Sequence, residues 1–141
     1  MLTKIQSVAH VGLISVPVAI EVDVASRGFP GFTIVGLASR AVDEARERVK
    51  TAIVNSGFDF PPQKITVNLA PADLPKDGAA YDLPIALGIL LAQGEIAPNE
   101  ELNKSIFYGE LSLDGSVRHT KGVLLVAIFA QRNGFKRLYV P

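Results

Sequence analysis

The feature that most constrains this chain is an apolar run, Leu83–Ala92, that contains no charged or hydrogen-bonding side chain. The run is shorter than the ~20 residues needed to cross a bilayer, and its length suits a helix. Pro84 is tolerated in a first helical turn, Gly94 is a typical terminator, and Asp82 is predicted to cap the amino terminus. Because the predicted helix Leu83–Gln93 is apolar on nearly every side, we expect it to be buried all round.

The chain is long enough to build a core around such a helix. Its 141 residues correspond to one domain, since domains commonly run ~100 to 200 residues. It has no cysteine, which excludes disulfides and Cys-ligated metal sites. Lys+Arg 14 balances Asp+Glu 14, so no overall field attracts nucleic acid or an anionic membrane. The amino terminus has no signal-peptide pattern, and we expect a cytoplasmic protein without a membrane partner.

Periodicity and turn residues predict the other elements. Alternating apolar residues indicate strands on both sides of a turn at Gly12, with Pro17 at an edge position or a strand start. Asp114-Gly115 is a strong hairpin signal. The order β-β-β-α-β-α-β-β-α-β predicts a single α/β domain with a mixed β-sheet and about three helices. Besides the apolar helix and a first strand that includes Ile5, Val8 and Val11, the predicted elements are strands Ile14–Val24, Phe32–Leu37, Lys64–Leu69, Ile106–Leu113, Ser116–Arg118 and Leu138–Val140, and helices Ala41–Ser56 and Gly122–Arg132.

The predicted helix Ala41–Ser56 has one apolar face and one charged face, with Ser39 as its cap. Pairs Glu44–Arg48 and Glu47–Lys50 have the spacing of surface ion pairs. Such a face is ordinarily solvated. The alternative is a subunit or nucleic-acid contact, and the candidate residues are Arg46, Arg48 and Lys50, with a second basic group at Arg132, Lys136 and Arg137.

Several kinds of catalytic or cofactor site are excluded by missing motifs. The chain has neither the P-loop pattern Gly-x-x-x-x-Gly-Lys-[Ser/Thr] nor the dinucleotide pattern Gly-x-Gly-x-x-Gly, so no cofactor is predicted for it. No Gly-x-Ser-x-Gly elbow is present. His10 and His119 fall in different elements without carboxylates at ligand spacing, so each is interpreted as hydrogen-bonded to solvent or backbone. No metal site is predicted.

The loop between Ala70 and Tyr81 is the one place where charge, glycine and a helix start converge. Loops beyond a strand end often carry function. One interpretation is an anion site in which Lys76 and the helix amino terminus donate to a phosphate. The other is a structural loop, because a carboxylate at the cap would repel a phosphate. The candidate ligand or interaction residues are Asp73, Lys76, Asp77, Gly78 and Asp82.

Five blocks in this order carry a family resemblance: Gly36–Leu37, Ala41–Val49, Asn55–Phe58, Thr66–Asp73 and Asp82–Ala86. Together they closely resemble the amino-terminal domain of the magnesium-chelatase-like bacterial AAA+ ATPases, over essentially the whole chain. The resemblance implies that residues 1–141 precede an ATPase module, for which ATP and magnesium are expected after residue 141. It also implies a hexameric assembly with neighbouring subunits. A helicase-like role on single-stranded or branched DNA during competence and recombination follows from the same resemblance.

The family's amino-terminal domain is similar in fold to the proteolytic domain of Lon protease and to the carboxyl-terminal domain of the recombination protein RadA. Lon enzymes carry Pro-Lys-Asp-Gly-Pro-Ser-Ala-Gly and a later Gly-Leu-Lys, which supply a serine nucleophile and its lysine base. Aligned on those motifs, the serine position is Ala80 and the lysine position is Leu124. Since alanine offers no nucleophile, the resemblance implies an accessory domain without peptidase activity.

Overall fold

Two long strands form one half of the largest sheet. In the computed structural model, which describes residues 1–141, strands β1 (Leu2–Val11) and β2 (Ile14–Val24) pair antiparallel in register from Leu2↔Asp23 to Val11↔Ile14. They are joined at Gly12, whose φ of 64° is a left-handed conformation that glycine adopts readily. The predicted turn at Gly12 is therefore confirmed.

Strands β3 (Gly31–Val35) and β4 (Lys64–Ala70) complete this sheet in the order β1-β2-β4-β3. Strand β4 is antiparallel to β2 and parallel to β3, which confirms a mixed sheet. Strand β2 is internal, yet its pairing with β4 begins only at Ala19. Pro17 thus lies where β2 has no β4 partner, as a residue without an N–H requires.

The charged helix begins and ends one residue earlier than predicted, and it is interrupted. It divides at Glu44 into α1 (Arg40–Asp43) and α2 (Ala45–Asn55). Ser39 caps α1, because its hydroxyl accepts a hydrogen bond from the Val42 amide at 3.4 Å. The apolar face of α2 is buried as predicted.

Helix α3 (Asp82–Gln93) corrects two predictions. Tyr81, not Asp82, occupies the cap position, and the Asp82 side chain does not cap the helix. Gly94 ends the helix in the left-handed conformation, as predicted. Most of α3 is buried, but one face, which includes Leu83 and Leu87, packs against the core and is only half-buried. The expectation of burial all round is wrong for that face.

The second half of the chain adds small sheets. The predicted strand Ile106–Leu113 divides at Tyr108-Gly109, because its first part pairs parallel with the strand Arg137–Tyr139 and its second part pairs antiparallel with the strand Val117–Arg118. The hairpin at Asp114-Gly115 is confirmed. The elements are α4 (Glu100–Asn103), β5 (Ser105–Phe107), β6 (Glu110–Leu111), β7 (Val117–Arg118), α5 (Val123–Arg132) and β8 (Arg137–Tyr139).

The interior consists of two apolar clusters. The larger, of 22 buried residues, includes residues from β1, β2, β4, α2 and α3. The smaller, of six residues, lies beside α5 and includes Val8, Ala80, Ile106 and Tyr108. This smaller cluster forms the base of the candidate site described below. The chain is thus an α/β domain in which three longer helices, α2, α3 and α5, accompany a mixed sheet.

No helix in the structure has the length and apolar content needed to span a bilayer.

Candidate functional site

A polar cleft of about 640 Å³ lies beside the smaller apolar cluster. Four parts of the chain form it: the tip of the β1–β2 hairpin, the loop before α3, the junction of β5 and β6, and the connection from β7 to α5. Thirteen residues line it, and six of them are ionisable: His10, Asp77, Tyr108, Glu110, His119 and Lys121. The cleft therefore gathers residues that are far apart in sequence.

Lys76 does not face this cleft. Its side chain is 1% exposed, and its ammonium donates to the carbonyl oxygens of Gly36, at 2.7 Å, and Pro71. Burial lowers the pKa of Lys76, and the nearby Asp73 carboxylate opposes this shift. The ammonium thus fastens the loop before α3 to the end of β3, an arrangement that favours the structural-loop interpretation over the phosphate-donor interpretation.

Asp77 and Gly78 do line the cleft. Asp77 Oδ1 accepts hydrogen bonds from the Ser39 hydroxyl and the Gly78 amide, both at 2.8 Å. The Ser39 hydrogen bond, followed by that of Gly78, lowers the pKa of Asp77 below its ordinary value of 3.8. Of the five predicted loop residues, the structure brings only these two into the cleft.

The Ser39→Ala substitution should raise the pKa of Asp77 toward 3.8, because it removes the larger of the two stabilising hydrogen bonds. A carboxyl whose folded pKa is lowered contributes stability above its unfolded pKa and loses it as the pH falls through the folded pKa. Side-chain carboxyl NMR titration measures the shift. Asp114, whose pKa is lowered in the same way by Ser116, is the internal reference and should not change. An unchanged Asp77 titration would show that Ser39 is not the cause.

Asp82 lies in the interior, where it forms an ion pair with Arg48. Its side chain is 0% exposed, and its two oxygens accept from Arg48 Nε at 2.6 Å and Nη2 at 3.0 Å. Asp82 Oδ2 also accepts from the Leu111 amide at 3.1 Å. Burial raises the pKa of Asp82, and the Arg48 guanidinium and the Leu111 amide oppose the shift. Asp82 thus lies away from the cleft and Arg48 is directed partly inward, because a buried carboxylate requires a charged or hydrogen-bonding partner.

The two positions aligned with the Lon dyad are placed differently. Ala80 is buried and lines the cleft, whereas Leu124 is 73% exposed and lies outside it. Lys121 lines the cleft instead. The hydroxyl of Thr120, also in the lining, donates to the Arg118 carbonyl at 2.9 Å and accepts from the Glu110 amide at 3.1 Å. That hydroxyl is therefore committed to the backbone.

Both histidines line the cleft, which sequence reasoning missed. His10 Nδ1 lies 3.1 Å from Ser15 Oγ, and its ring meets Tyr108 edge-on at 5.9 Å. Burial lowers the pKa of His10, and the Gly122 backbone opposes the shift. Only the fold brings His10 and His119 together, so no spacing in the sequence could have indicated it. No group of three or more His, Cys, Asp or Glu side chains is arranged to hold a metal ion.

The exposed basic residues are largely paired with nearby groups. Arg46 pairs with Asp43 at 3.0 Å, and Arg137 pairs with Glu101 at 2.7 Å. The predicted Glu44–Arg48 contact is present at 3.9 Å. Lys50 lies 5.7 Å from the ring centre of Phe60 instead of pairing with Glu47.

The first basic group lies on α2, which packs against α3 and β3. Arg132 is the last residue of α5, which packs against β2 and β8, and the exposed Lys136 lies between α5 and β8. The two groups therefore belong to different elements of the fold.

Comparison with known proteins identifies the family. A sequence profile described as "Subunit ChlI of Mg-chelatase" matches residues 20–141. The chain belongs to this magnesium-chelatase-like family.

Curated relatives match most of the chain. It is 44% identical over 135 residues to "Uncharacterized protein YifB" of Escherichia coli (strain K12), covering 96% of this chain and 26% of that protein. It is 49% identical over 127 residues to the protein of the same name in Salmonella typhimurium, covering 89% of this chain and 24% of that protein. It is 45% identical over 132 residues to "Competence protein ComM" of Haemophilus influenzae, covering 94% of this chain and 26% of that protein. The chain thus spans about a quarter of the length of these relatives.

Proposed function

We propose that this chain is a non-catalytic accessory domain of a longer, ATP-hydrolysing protein, and that it contributes to ring assembly. The observation that carries the proposal is the match of nearly the whole chain to about a quarter of each relative, ComM and YifB included. The ATPase module, with its ATP and magnesium, then belongs to the part of the protein after residue 141. The assembled protein is a cytoplasmic hexamer that acts in competence and recombination.

The chemistry of the cleft supports a domain without peptidase activity. Ala80 occupies the position at which the Lon-like alignment requires a nucleophile, and Thr120 is committed to backbone hydrogen bonds. A hydrolase of the Ser–Lys type needs a free hydroxyl beside a desolvated amine. Lys76, the most buried amine, donates to two carbonyls away from the cleft.

The charge distribution favours subunit contact over DNA contact. Of the six candidate basic residues, Arg46, Arg48 and Arg137 have carboxylate partners within 3.0 Å. DNA affinity depends on cations that are free to replace the counterions of the phosphates. Because three of the six candidate residues are already paired and the chain has a net charge of zero, the candidate groups offer few such cations. DNA binding by this domain is the second candidate, with Lys50, Arg132 and Lys136 as its remaining exposed cations.

Deletion of residues 1–141 from the full-length protein tests the proposal. With ATP present, the deletion variant should form smaller assemblies by light scattering and should hydrolyse ATP more slowly than the intact protein. The physical reason is that an accessory domain adds buried surface between subunits. A native gene product that ends at Pro141, or a deletion that leaves the assembly mass unchanged, would contradict the assembly role.

Binding of labelled single-stranded DNA by the same two proteins separates the candidates. If this domain contacts DNA, its deletion should lower the affinity and flatten the dependence of affinity on salt, because each lost phosphate contact removes a released counterion. If the domain acts in assembly alone, the affinity per assembled ring should be unchanged. A third role, as an adaptor that docks a protein partner, would leave both the assembly mass and DNA binding intact.

A further inference from the structure

The uncovered face of α3 is the strongest unexplained feature of the molecule. The helix carries apolar side chains on every side, yet Leu83 and Leu87 are only half-buried. They are four residues apart and therefore lie on one helical face. A polar or charged residue would be the ordinary choice for a solvent-facing position. The composition of α3 thus indicates a face that another segment covers.

That face is the floor of an apolar groove of about 400 Å³. All seven residues that line the groove are hydrophobic, including Val117 on one side and Leu138–Val140 on the other. In the wall, the rings of Phe107 and Tyr139 stack with their centres 4.6 Å apart. A second apolar hollow, of about 110 Å³, lies on the other side of Leu83 and Leu87. The two hollows form one apolar surface without a charged side chain.

We infer that this groove holds the segment that follows Pro141 in the full-length protein, through apolar side chains of that segment. The inference rests on the proposed function, since it requires the longer protein. Leu138–Val140 are themselves part of the groove wall, and Pro141 lies next to Gly109. Residues after 141 therefore start at the groove. A segment tethered there has a far higher effective concentration than a separate partner of equal affinity.

The docking also has a function within the proposed assembly. A flexible connection would leave this domain free to rotate relative to the rest of the protein. Burying apolar side chains of the connection against α3 fixes its direction at the point where it leaves the domain. The position of the ring-forming module is then determined by the fold of residues 1–141.

The Val117→Asp substitution in the full-length protein tests the inference. Val117 is 39% exposed, and an aspartate there places a charge in the apolar groove. Limited proteolysis, with cleavage sites identified by mass spectrometry, should show cleavage just after residue 141 about ten-fold faster, since cleavage follows the population of the undocked segment. The matched control is Leu113→Asp, which replaces a 55% exposed residue of the same hairpin outside the groove and should leave this rate unchanged. If the Val117→Asp variant unfolds, the milder Val117→Ser substitution still allows the cleavage rate after residue 141 to be measured in a folded protein.

Three results would overturn the inference. Equal cleavage rates in Val117→Asp, Val117→Ser and the unmodified protein would show that no segment is docked in the groove. A Val117 variant that dissociates the assembly without faster cleavage after residue 141 would assign the groove to a neighbouring subunit. Equal acceleration by Leu113→Asp would indicate a general loosening of the hairpin. If the full-length protein extends beyond residue 141 and hydrolyses ATP, each of these results rejects the docking and leaves the proposed function in place.

Discussion

Arg48→Met should lower the free energy of unfolding by about 3 to 5 kcal/mol, the usual loss when one partner of a buried ion pair is removed. The substitution keeps an unbranched apolar stem but leaves the Asp82 carboxylate, which is 0% exposed, with only the Leu111 amide as a partner. Urea unfolding followed by circular dichroism measures the loss. The matched control is Arg46→Met on the same helix, whose pair with Asp43 is exposed and should contribute less than about 1 kcal/mol.

Removing the Asp82 charge as well tests whether an unpaired buried carboxylate causes the loss of stability in Arg48→Met. Asp82→Asn keeps an oxygen that accepts from Leu111, so the double variant Arg48→Met/Asp82→Asn should be at least about 1 kcal/mol more stable than Arg48→Met. Burial already raises the pKa of Asp82, and Arg48 opposes that shift. An acid with a raised folded pKa contributes stability at low pH that is lost as the pH rises through that pKa. The deficit of Arg48→Met should therefore narrow as the pH falls, and a deficit that is constant with pH would contradict this account.

Much of the fold follows from local sequence chemistry. The turn at Gly12, the cap at Ser39, the helix end at Gly94 and the hairpin at Asp114-Gly115 each depend on a few adjacent residues, and each is confirmed. The prediction of one continuous strand over Ile106–Leu113 was wrong, because the two parts of this segment pair with different strands. Local propensity contains no information about which strand lies opposite.

Less of the candidate site than of the fold could be predicted from the sequence, because the residues of the site come from distant segments. Asp82 has the spacing of a helix cap, and nothing nearby indicates that an arginine 34 positions earlier pairs with it in the interior. For the same reason the sequence left two interpretations of the Lys76 loop open, a phosphate site and a structural loop, whereas the fold surrounds the Lys76 ammonium with backbone carbonyls. Long-range pairing of charges depends on how the elements pack, which periodicity does not describe.

Gly36→Ala should destabilise the protein by about 3 to 5 kcal/mol, because it combines backbone strain with overpacking against a strand. An added Cβ would lie 2.3 Å from the Leu69 carbonyl oxygen and 2.8 Å from the Leu69 nitrogen. Those atoms belong to β4 and cannot rotate away. The φ of Gly36, 105°, is also a conformation that side chains rarely adopt. Urea unfolding measures the loss.

A matched control separates the contact from the strain. Gly28 has a similar φ of 114° but no atom within 4 Å of an added Cβ, so Gly28→Ala should cost only about 1 to 2 kcal/mol. The additional free energy of unfolding lost in Gly36→Ala, compared with Gly28→Ala, then measures the cost of the close contact with β4. Because the Gly36 carbonyl accepts from Lys76, displacement of Gly36 should also move the loop before α3, seen as a changed NMR shift of the Gly78 amide. Equal losses in the two variants, with an unmoved Gly78 amide, would show that the contact with Leu69 does not hold this loop in place.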